Sequence, residues 1–357
     1  MKTLDKYLLR EMAVPFLIGT LAVVLMFQVN MLIFEFKTFR ISAVPAIAVV
    51  KLIMLKTPNF LSMTLPVGMA LASSLAMSRL ARESELTAIR SIGVPIIRTV
   101  VPIAFLGVLV GIANFYIVEK VMPESEKSWR KLQSELSVLA ASPEFKSNLV
   151  VYLKNYAASF GTVQRGKGAE LLLSSVMLIE RPRPGEIWLT TADQGTYKDG
   201  IWRMQHPYVR VIKGEDLSSA ESRDDLVINE PINLQELFLP PQAEEQSLGE
   251  LRRAIDDGKK QARDTTPQQI QYYVRFAIPA ACFVFALTGP VFAVRFSRAG
   301  PFMGVLLSII LVFLYYNAYI ISTQIFGPNG WLPPWLAAWL PNILFFTLGI
   351  IALRRSE

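Results

Sequence analysis

Residues 95–118 read PIIRTVVPIAFLGVLVGIANFYIV, and the next five residues are EKVMP. Apart from Arg98 near its start, this run carries no charge. About 20 apolar residues in helical form cross the hydrocarbon core of a bilayer, so the run is read as a membrane span. Beyond it the chain changes character. Glu124 to Leu139 is charged and helical in pattern, and the stretch from about Pro123 to Thr266 is polar enough to form a soluble domain. The next run of spanning length begins only at Phe276, so one large insert divides the membrane portion in two.

The same ruler finds Met12 to Ile33 and Phe60 to Met77 before residue 95, and Phe276 to Val294, Gly300 to Ile321 and Leu336 to Leu353 after the insert. Six transmembrane helices are expected. Pro15, Pro66, Pro102, Pro279 and Pro341 lie inside or near the ends of these runs, where neighbouring helices can satisfy the freed carbonyls. Composition agrees: of 357 residues, 52% are hydrophobic and only 18% charged, too apolar for a soluble protein of this size. The first run is too long for a signal peptide and lacks a small-residue cleavage site, so it is expected to remain as an anchor.

Basic residues set the orientation. The N-terminal segment with Lys2, Lys6 and Arg10, the second loop with Arg79, Arg82 and Arg90, the fourth with Arg295 and Arg298, and the C-terminal Arg354 and Arg355 would share the cytoplasmic side. Both termini then lie inside and the insert outside. Lys37, Arg40, Lys51 and Lys56 fall on the outer side against the rule. The stretch Ile41 to Thr57, interrupted by Pro45, is read as an interfacial amphipathic helix leading to the second span.

Within the insert, Leu149 to Leu153, Leu171 to Ile179, Ile187 to Thr191 and Tyr208 to Ile212 have strand character. Turn signals separate them, including Arg183-Pro184-Gly185 and Lys198-Asp199-Gly200. Asp199-Gly200 between Tyr197 and Trp202 predicts a hairpin. Short strands at this spacing suit a β-sandwich, a jelly roll or a twisted half-barrel. A charged helix from Ser247 to Asp264, with Leu248, Leu251 and Ile255 at helical spacing, leads back to the membrane.

Enzymatic chemistry finds little support. The net charge of +7 comes without the arginine-rich run, zinc ligands or stacking aromatics of a nucleic-acid binder. The single cysteine, Cys282, excludes an internal disulfide, and the single histidine, His206, leaves no pair for a metal. His206 is expected in a solvated connection between strands. Gly161 to Lys167 matches a phosphate-binding loop up to its lysine, but Gly168 replaces the Ser or Thr that would hold magnesium, and strands surround it. It is read as a basic hairpin turn. Proton or ion relays usually need ionisable groups at membrane depth, and carboxylates are absent from the apolar runs. Gln28, Asn30, Tyr315, Tyr316, Asn317 and Tyr319 are the main polar groups there, suited to packing and interface anchoring.

The informative loop is residues 79–93, RLARESELTAIRSIG. Leu86, Ile89 and Ile92 recur every three residues, Gly93 can take a left-handed cap and Pro95 blocks continuation, so a short amphipathic helix is expected. Such a helix is either a solvated connector or a segment that lies in the groove of a partner protein.

Four stretches together resemble the LptF and LptG permeases. They are Leu4 to Glu11 (LDKYLLRE), Leu65 to Gly68 (LPVG), Ser78 to Gly93 (SRLARESELTAIRSIG), and Tyr273 to Pro279 (YVRFAIP) with its continuation through Gly289-Pro290 to Arg298. They follow the family's order along essentially the whole chain. The resemblance implies two membrane portions, 1–122 and 267–357, around a periplasmic β-jellyroll domain at 123–266. It further implies a non-catalytic permease subunit of an ABC transporter in the inner membrane. Such a subunit extracts lipopolysaccharide and passes it to a periplasmic bridge of LptC/LptA type, beside a sister permease and above a cytoplasmic ATPase dimer. ATP and magnesium would be bound by that ATPase and no cofactor by this chain.

In that frame the loop becomes the coupling helix, with Arg82, Glu83, Glu85, Leu86, Ile89 and Arg90 facing the ATPase and Glu85 at the family's acidic position. Lipopolysaccharide, with acyl chains below phosphorylated sugars, calls for a greasy cavity rimmed by cations. Phe34, Lys37, Phe39 and Arg40 suit that rim, although snorkelling to lipid headgroups accounts for the same charges. The family's lateral gate lies between its first and fifth helices, which would place Tyr315, Tyr316 and Tyr319 near the lipid path. The competing reading is a membrane-anchored envelope scaffold whose soluble domain recruits partners. A lipid-modifying membrane enzyme would need catalytic groups that the sequence does not offer.

Overall fold

The computed structural model describes residues 3–38, 46–139, 146–152, 156–165, 171–183, 186–198, 201–213, 216–222, 224–229, 243–260, 264–296 and 303–354. Five helices precede the insert: α1 (Thr3–Thr38), α2 (Ala46–Arg82), α3 (Glu85–Ser91), α4 (Ile96–Tyr116) and α5 (Met122–Leu139). Strands β1 to β8 occupy the insert. Helices α6 (Leu248–Lys260), α7 (Thr266–Phe296), α8 (Met303–Ile320) and α9 (Pro334–Arg354) follow. Among the described residues six helices are long and apolar enough to cross a membrane, as the hydropathy pattern predicts.

Two compact units result, one of Met1–Leu132 with Gln242–Glu357 and one of Gln133–Pro241. The sequence suggests an insert of 123–266, and the second unit is shorter at both ends. The first turns of α5 and the whole of α6 belong with the membrane helices, because their charged residues find partners there. Lys127 on α5 lies 3.0 Å from Glu250 on α6, and the Leu248 N–H donates to Glu119.

In the first unit α2 and α7 form the central pair, each packed by several neighbours. Buried Met69, Met77 and Leu80 of α2 meet Cys282 and Phe285 of α7 in one core, which also takes in Leu8 and Met12 of α1. Hydrophobic driving force is weak between helices in lipid, so close packing and hydrogen bonds hold them. At Gly107 of α4, an added Cβ would stand 2.5 Å from the Ala286 side chain and 3.0 Å from the Cys282 carbonyl, so glycine is what lets α4 approach α7. Asn114 donates to the Ser62 carbonyl at 2.9 Å, and Asn342 on α9 donates to that of Ala277 at 2.7 Å.

Two expectations are corrected. The segment read as an interfacial helix is not separate: from Ala46 onward it is the beginning of α2, which runs unbroken for 37 residues through Pro58 and Pro66. At 1.5 Å per residue this is about 55 Å, well beyond a hydrocarbon core of about 30 Å. Continuity is possible because the charge that suggested an interface is neutralised within the bundle, Lys56 pairing with Glu126 at 2.7 Å. Residues 39–45, including Pro45, lie outside the described residues. Likewise the third span does not stop at Val118. A π-helical turn over Ile117–Val121 joins α4 to α5 directly, and Pro123, which has no N–H to give to the preceding turn, follows it at once.

The second unit is a single antiparallel sheet of β1 (Lys146–Tyr152), β2 (Tyr156–Arg165), β3 (Leu171–Arg183), β4 (Glu186–Lys198), β5 (Ile201–Gln205), β6 (Tyr208–Lys213), β7 (Asp216–Ser222) and β8 (Asp225–Asn229). The order is β1-β2-β3-β4-β5-β8, with β6 pairing β4 and β7. The sheet forks at β4: residues 186–191 pair with β6, and 194–198 pair with β5. Lys198 pairs with Ile201 across the expected hairpin, whose tip Asp199-Gly200 lies outside the described residues.

Alternation puts Trp202 and Met204 of β5 inside and their neighbours outside, the pattern of a sheet with one packed face. Phe160, Val176, Leu178 and Tyr197 complete that core, with Phe160 and Trp202 stacked at 5.3 Å. Gly161 to Arg165 of the phosphate-loop lookalike belong to β2 and do not open a helix. His206 is exposed in the β5–β6 connection.

Candidate functional site

The loop expected as one helix over 79–93 is divided. Arg79 and Arg82 complete the last turn of α2, the chain turns at Glu83 and Ser84, and α3 begins at Glu85. Ser84 makes the break, its φ of 60° being left-handed, a region in which a non-glycine residue is strained. At the other end Gly93 takes φ 82° and donates to the Arg90 carbonyl at 2.9 Å, the glycine cap anticipated from the sequence.

The apolar stripe is also divided. Leu86 is 4% exposed and packs into the core with Leu8 and Leu80, Ile89 is half-buried, and Ile92 is 78% exposed. The helix ends at Ser91, so the spacing that would keep Ile92 on the buried face is lost. Arg82, Glu83 and Arg90 are exposed around it. The six residues expected to couple to an ATPase therefore share one short protrusion, anchored by Leu86 and charged on its open surface.

Polar contacts bind this protrusion to α1. The Tyr7 hydroxyl donates to Glu85 Oε2 at 2.8 Å. Arg79 donates to Glu11 and, at 3.0 Å, to Glu83, and holds the Glu83 carboxyl below its ordinary value. Asp5 pairs with Arg98 at the start of α4 at 2.8 Å. Ile96 and Val100 pack with Ala352 and Leu353 of α9, so the start of α1 and the end of α9 both lie at the α3 end of the bundle.

The described residues suggested for substrate lie on α1 and α8. Phe34 on α1 is 69% exposed, Lys37 lies in the last turn of α1, and Phe39 and Arg40 are outside the described residues. Tyr315 is 3% exposed and donates to Asn342 Oδ1 at 2.9 Å, and its ring lies 4.9 Å from that of Phe285 and 5.5 Å from that of Phe345. Tyr316 donates to the Met63 carbonyl of α2, and its ring stands 6.4 Å from that of Tyr319. Tyr315 and Tyr316 thus fasten α8 to α9 and α2, so their hydroxyls are engaged within the bundle. The exposed surface of α8 is instead aliphatic and aromatic, with Phe313 64% exposed.

Sequence reasoning missed two polar centres at the opposite end of the bundle from α3. In one, Glu126 on α5, 1% exposed, accepts from Lys56 at 2.7 Å and Asn59 at 2.6 Å, while Lys56 stands 4.3 Å from the Trp129 ring centre. In the other, Arg275 on α7, 4% exposed, donates to the carbonyls of Val118 at 2.6 Å, of Glu244 at 3.3 Å and of Gln246. The Arg275 fork thereby joins the π-helical turn to the segment re-entering from the insert. An arginine one residue before an apolar run was the available signal for it, since such groups at membrane depth rarely lack a partner.

Among the described residues no group of three His, Cys, Asp or Glu is placed to hold a metal. No curated protein matches the chain. A family model does: that of the lipopolysaccharide export system permease LptF/LptG spans residues 6–355, nearly the whole length, and the chain is therefore a member of the LptF/LptG permease family.

Proposed function

We propose that this chain is one permease subunit of an ABC-type lipopolysaccharide exporter in the inner membrane, with both termini cytoplasmic and the sheet unit, of the family's β-jellyroll type, in the periplasm. A separate ATPase dimer binds ATP and magnesium and docks on α3. A sister permease completes the membrane cavity, and a periplasmic bridge of LptC/LptA type receives the lipid from the sheet unit. Phe34, Lys37, Phe39 and Arg40 lie at the mouth of that cavity and meet phosphorylated sugars. The chain itself performs no chemistry.

The observation that carries this reading is the form of α3. A seven-residue helix, pinned by buried Leu86 and leaving Ile92 and Arg90 on an open surface, suits a grooved partner better than a plain connector. Its test is co-purification. Wild-type chain expressed in its native membrane should bring down an ABC ATPase and a sister permease, and Glu85→Ala should lose most of the ATPase while the membrane domain stays folded. Recovery of other envelope proteins without any ATPase would favour the scaffold reading.

A further inference from the structure

We propose that Tyr7 and Glu85 form the joint that passes movement of α3 to α1, a proposal that rests on α3 being the ATPase contact. Three observations converge on it. First, α3 is separated from α2 by the left-handed turn at Ser84, so rotation about that turn lets α3 move without dragging the long α2 with it. Second, Glu85 is the α3 side chain whose hydrogen bond leaves the helix, and it goes to α1, from the Tyr7 hydroxyl at 2.8 Å. Beneath it Leu86 packs in the same core as Leu8 and Met12, both 0% exposed, so an apolar floor supports the polar tie.

Third, polar ties join α1 to three different elements at this end. Asp5, Tyr7 and Glu11 reach α4, α3 and α2 respectively. Further along, Leu17, Leu21, Leu25 and Val29 are all at least half exposed, and α1 is the least buried of the six spans. The opposite face of α1 stays on α2, where Gln28 donates to Thr57 Oγ1 at 2.9 Å and Phe27 stacks on Phe60, so a displacement of its first turns is carried along a continuous α1–α2 contact. A phenol donating to a carboxylate makes a short, charge-assisted bond, able to carry force across the contact. Because a carboxylate accepts on both oxygens, Glu85 can keep Tyr7 on one and meet a cationic group of a docked partner with the other. Tyr7 is accordingly a positioning residue.

The test uses the complete transporter in proteoliposomes containing lipopolysaccharide, with ATP hydrolysis and lipid release measured together. Tyr7→Phe removes one hydroxyl and keeps the ring. It should leave assembly intact and lower lipid released per ATP by about threefold, the scale of a modest coupling change. The Tyr7→Phe/Glu85→Gln pair should be no worse than the worse single variant, as expected of two residues in one interaction. As a second measurement, adding nucleotide should change amide exchange along α1 in the wild type, and Tyr7→Phe should abolish that change. Wild-type lipid per ATP and a wild-type exchange response in Tyr7→Phe would overturn the joint, while loss of the ATPase in Glu85→Ala would still uphold the α3 contact. Full retention of the ATPase by Glu85→Ala would overturn the contact and the joint together.

Discussion

Lys56 on α2 places its Nζ 2.7 Å from Glu126 Oε2 on α5, and the two side chains are 15% and 2% exposed. Asn59 donates to the other oxygen of Glu126 at 2.6 Å, so the carboxylate is satisfied on both sides. Removing one partner of a buried pair leaves an uncompensated charge, whereas replacing both with apolar groups of similar volume is often neutral. Lys56→Met should therefore destabilise the membrane unit by about 3–5 kcal/mol, and Lys56→Met with Glu126→Leu should recover most of that loss. Unfolding of the purified protein in detergent reads both values. A paired variant as unstable as the single one would show that Lys56 acts through its stem packing instead of its charge.

The sheet unit has its own weak point. Trp202 is 2% exposed, stacked on Phe160 and edge-on to Tyr197 at 5.2 Å. Truncation of a buried aromatic of this size typically costs about 3–5 kcal/mol. Trp202→Ala should accelerate amide exchange through β2 to β5 in the full-length protein. The amides of α2 and α7 should stay protected, because the core around Trp202 belongs to the sheet unit alone. Equal loss of protection in both units would contradict that independence.

The start of α6 should respond to pH. The Ser247 N–H donates to Glu250 Oε2 at 2.7 Å and the Glu250 N–H donates to Ser247 Oγ at 3.3 Å, a reciprocal capping box. The Ser247 backbone bond, with Lys127 beside it, holds the Glu250 carboxyl below its ordinary value. A depressed carboxyl stabilises the fold above its unfolded value and loses that contribution as pH falls through the folded one. Amide exchange at Leu248 to Leu251 should thus be pH-independent, once corrected for intrinsic rates, near neutrality and rise below about pH 4.5, the unperturbed carboxyl value. Ser247→Ala should weaken the cap by about 1 kcal/mol at neutral pH.

Charge at the far end of α1 should govern contact with the cargo. Lys37→Glu together with Arg40→Glu should lower photocrosslinking of lipopolysaccharide to a probe at Phe34 severalfold while leaving ATPase assembly unchanged. Unaltered crosslinking would return both cations to a role at lipid headgroups.

The six spans were legible because the demand of a bilayer for apolar length is met locally, by each run on its own. Where α2 begins and where the third span ends were not, since both depend on remote partners. Lys56 marks a membrane boundary only if Glu126, 70 residues later, does not neutralise it. The α3 segment shows the same division within a few residues. Its glycine cap could be read from Gly93, but the break at Ser84 could not, because serine carries no signal for a left-handed φ. Tyr7 stood in a stretch that already marked the family, yet its partner lies 78 residues away and no local pattern connects them. The aromatic residues of α8 show the converse: their type suits a lipid path, and only packing adds that the Tyr315 and Tyr316 hydroxyls are engaged within the bundle.

The π-helical turn at Ile117–Val121 sets the aim of the first turns of α5. Such a turn accommodates one residue more than an α-helix would, and each residue advances the chain by about 100° around the axis. Glu126 and Trp129 face Lys56 because of that single added step. Deleting one residue between Ile117 and Val121 would leave a more regular helix whose carboxylate points about a quarter-turn away from its lysine, so at this position chain length, more than side-chain identity, is the constrained quantity.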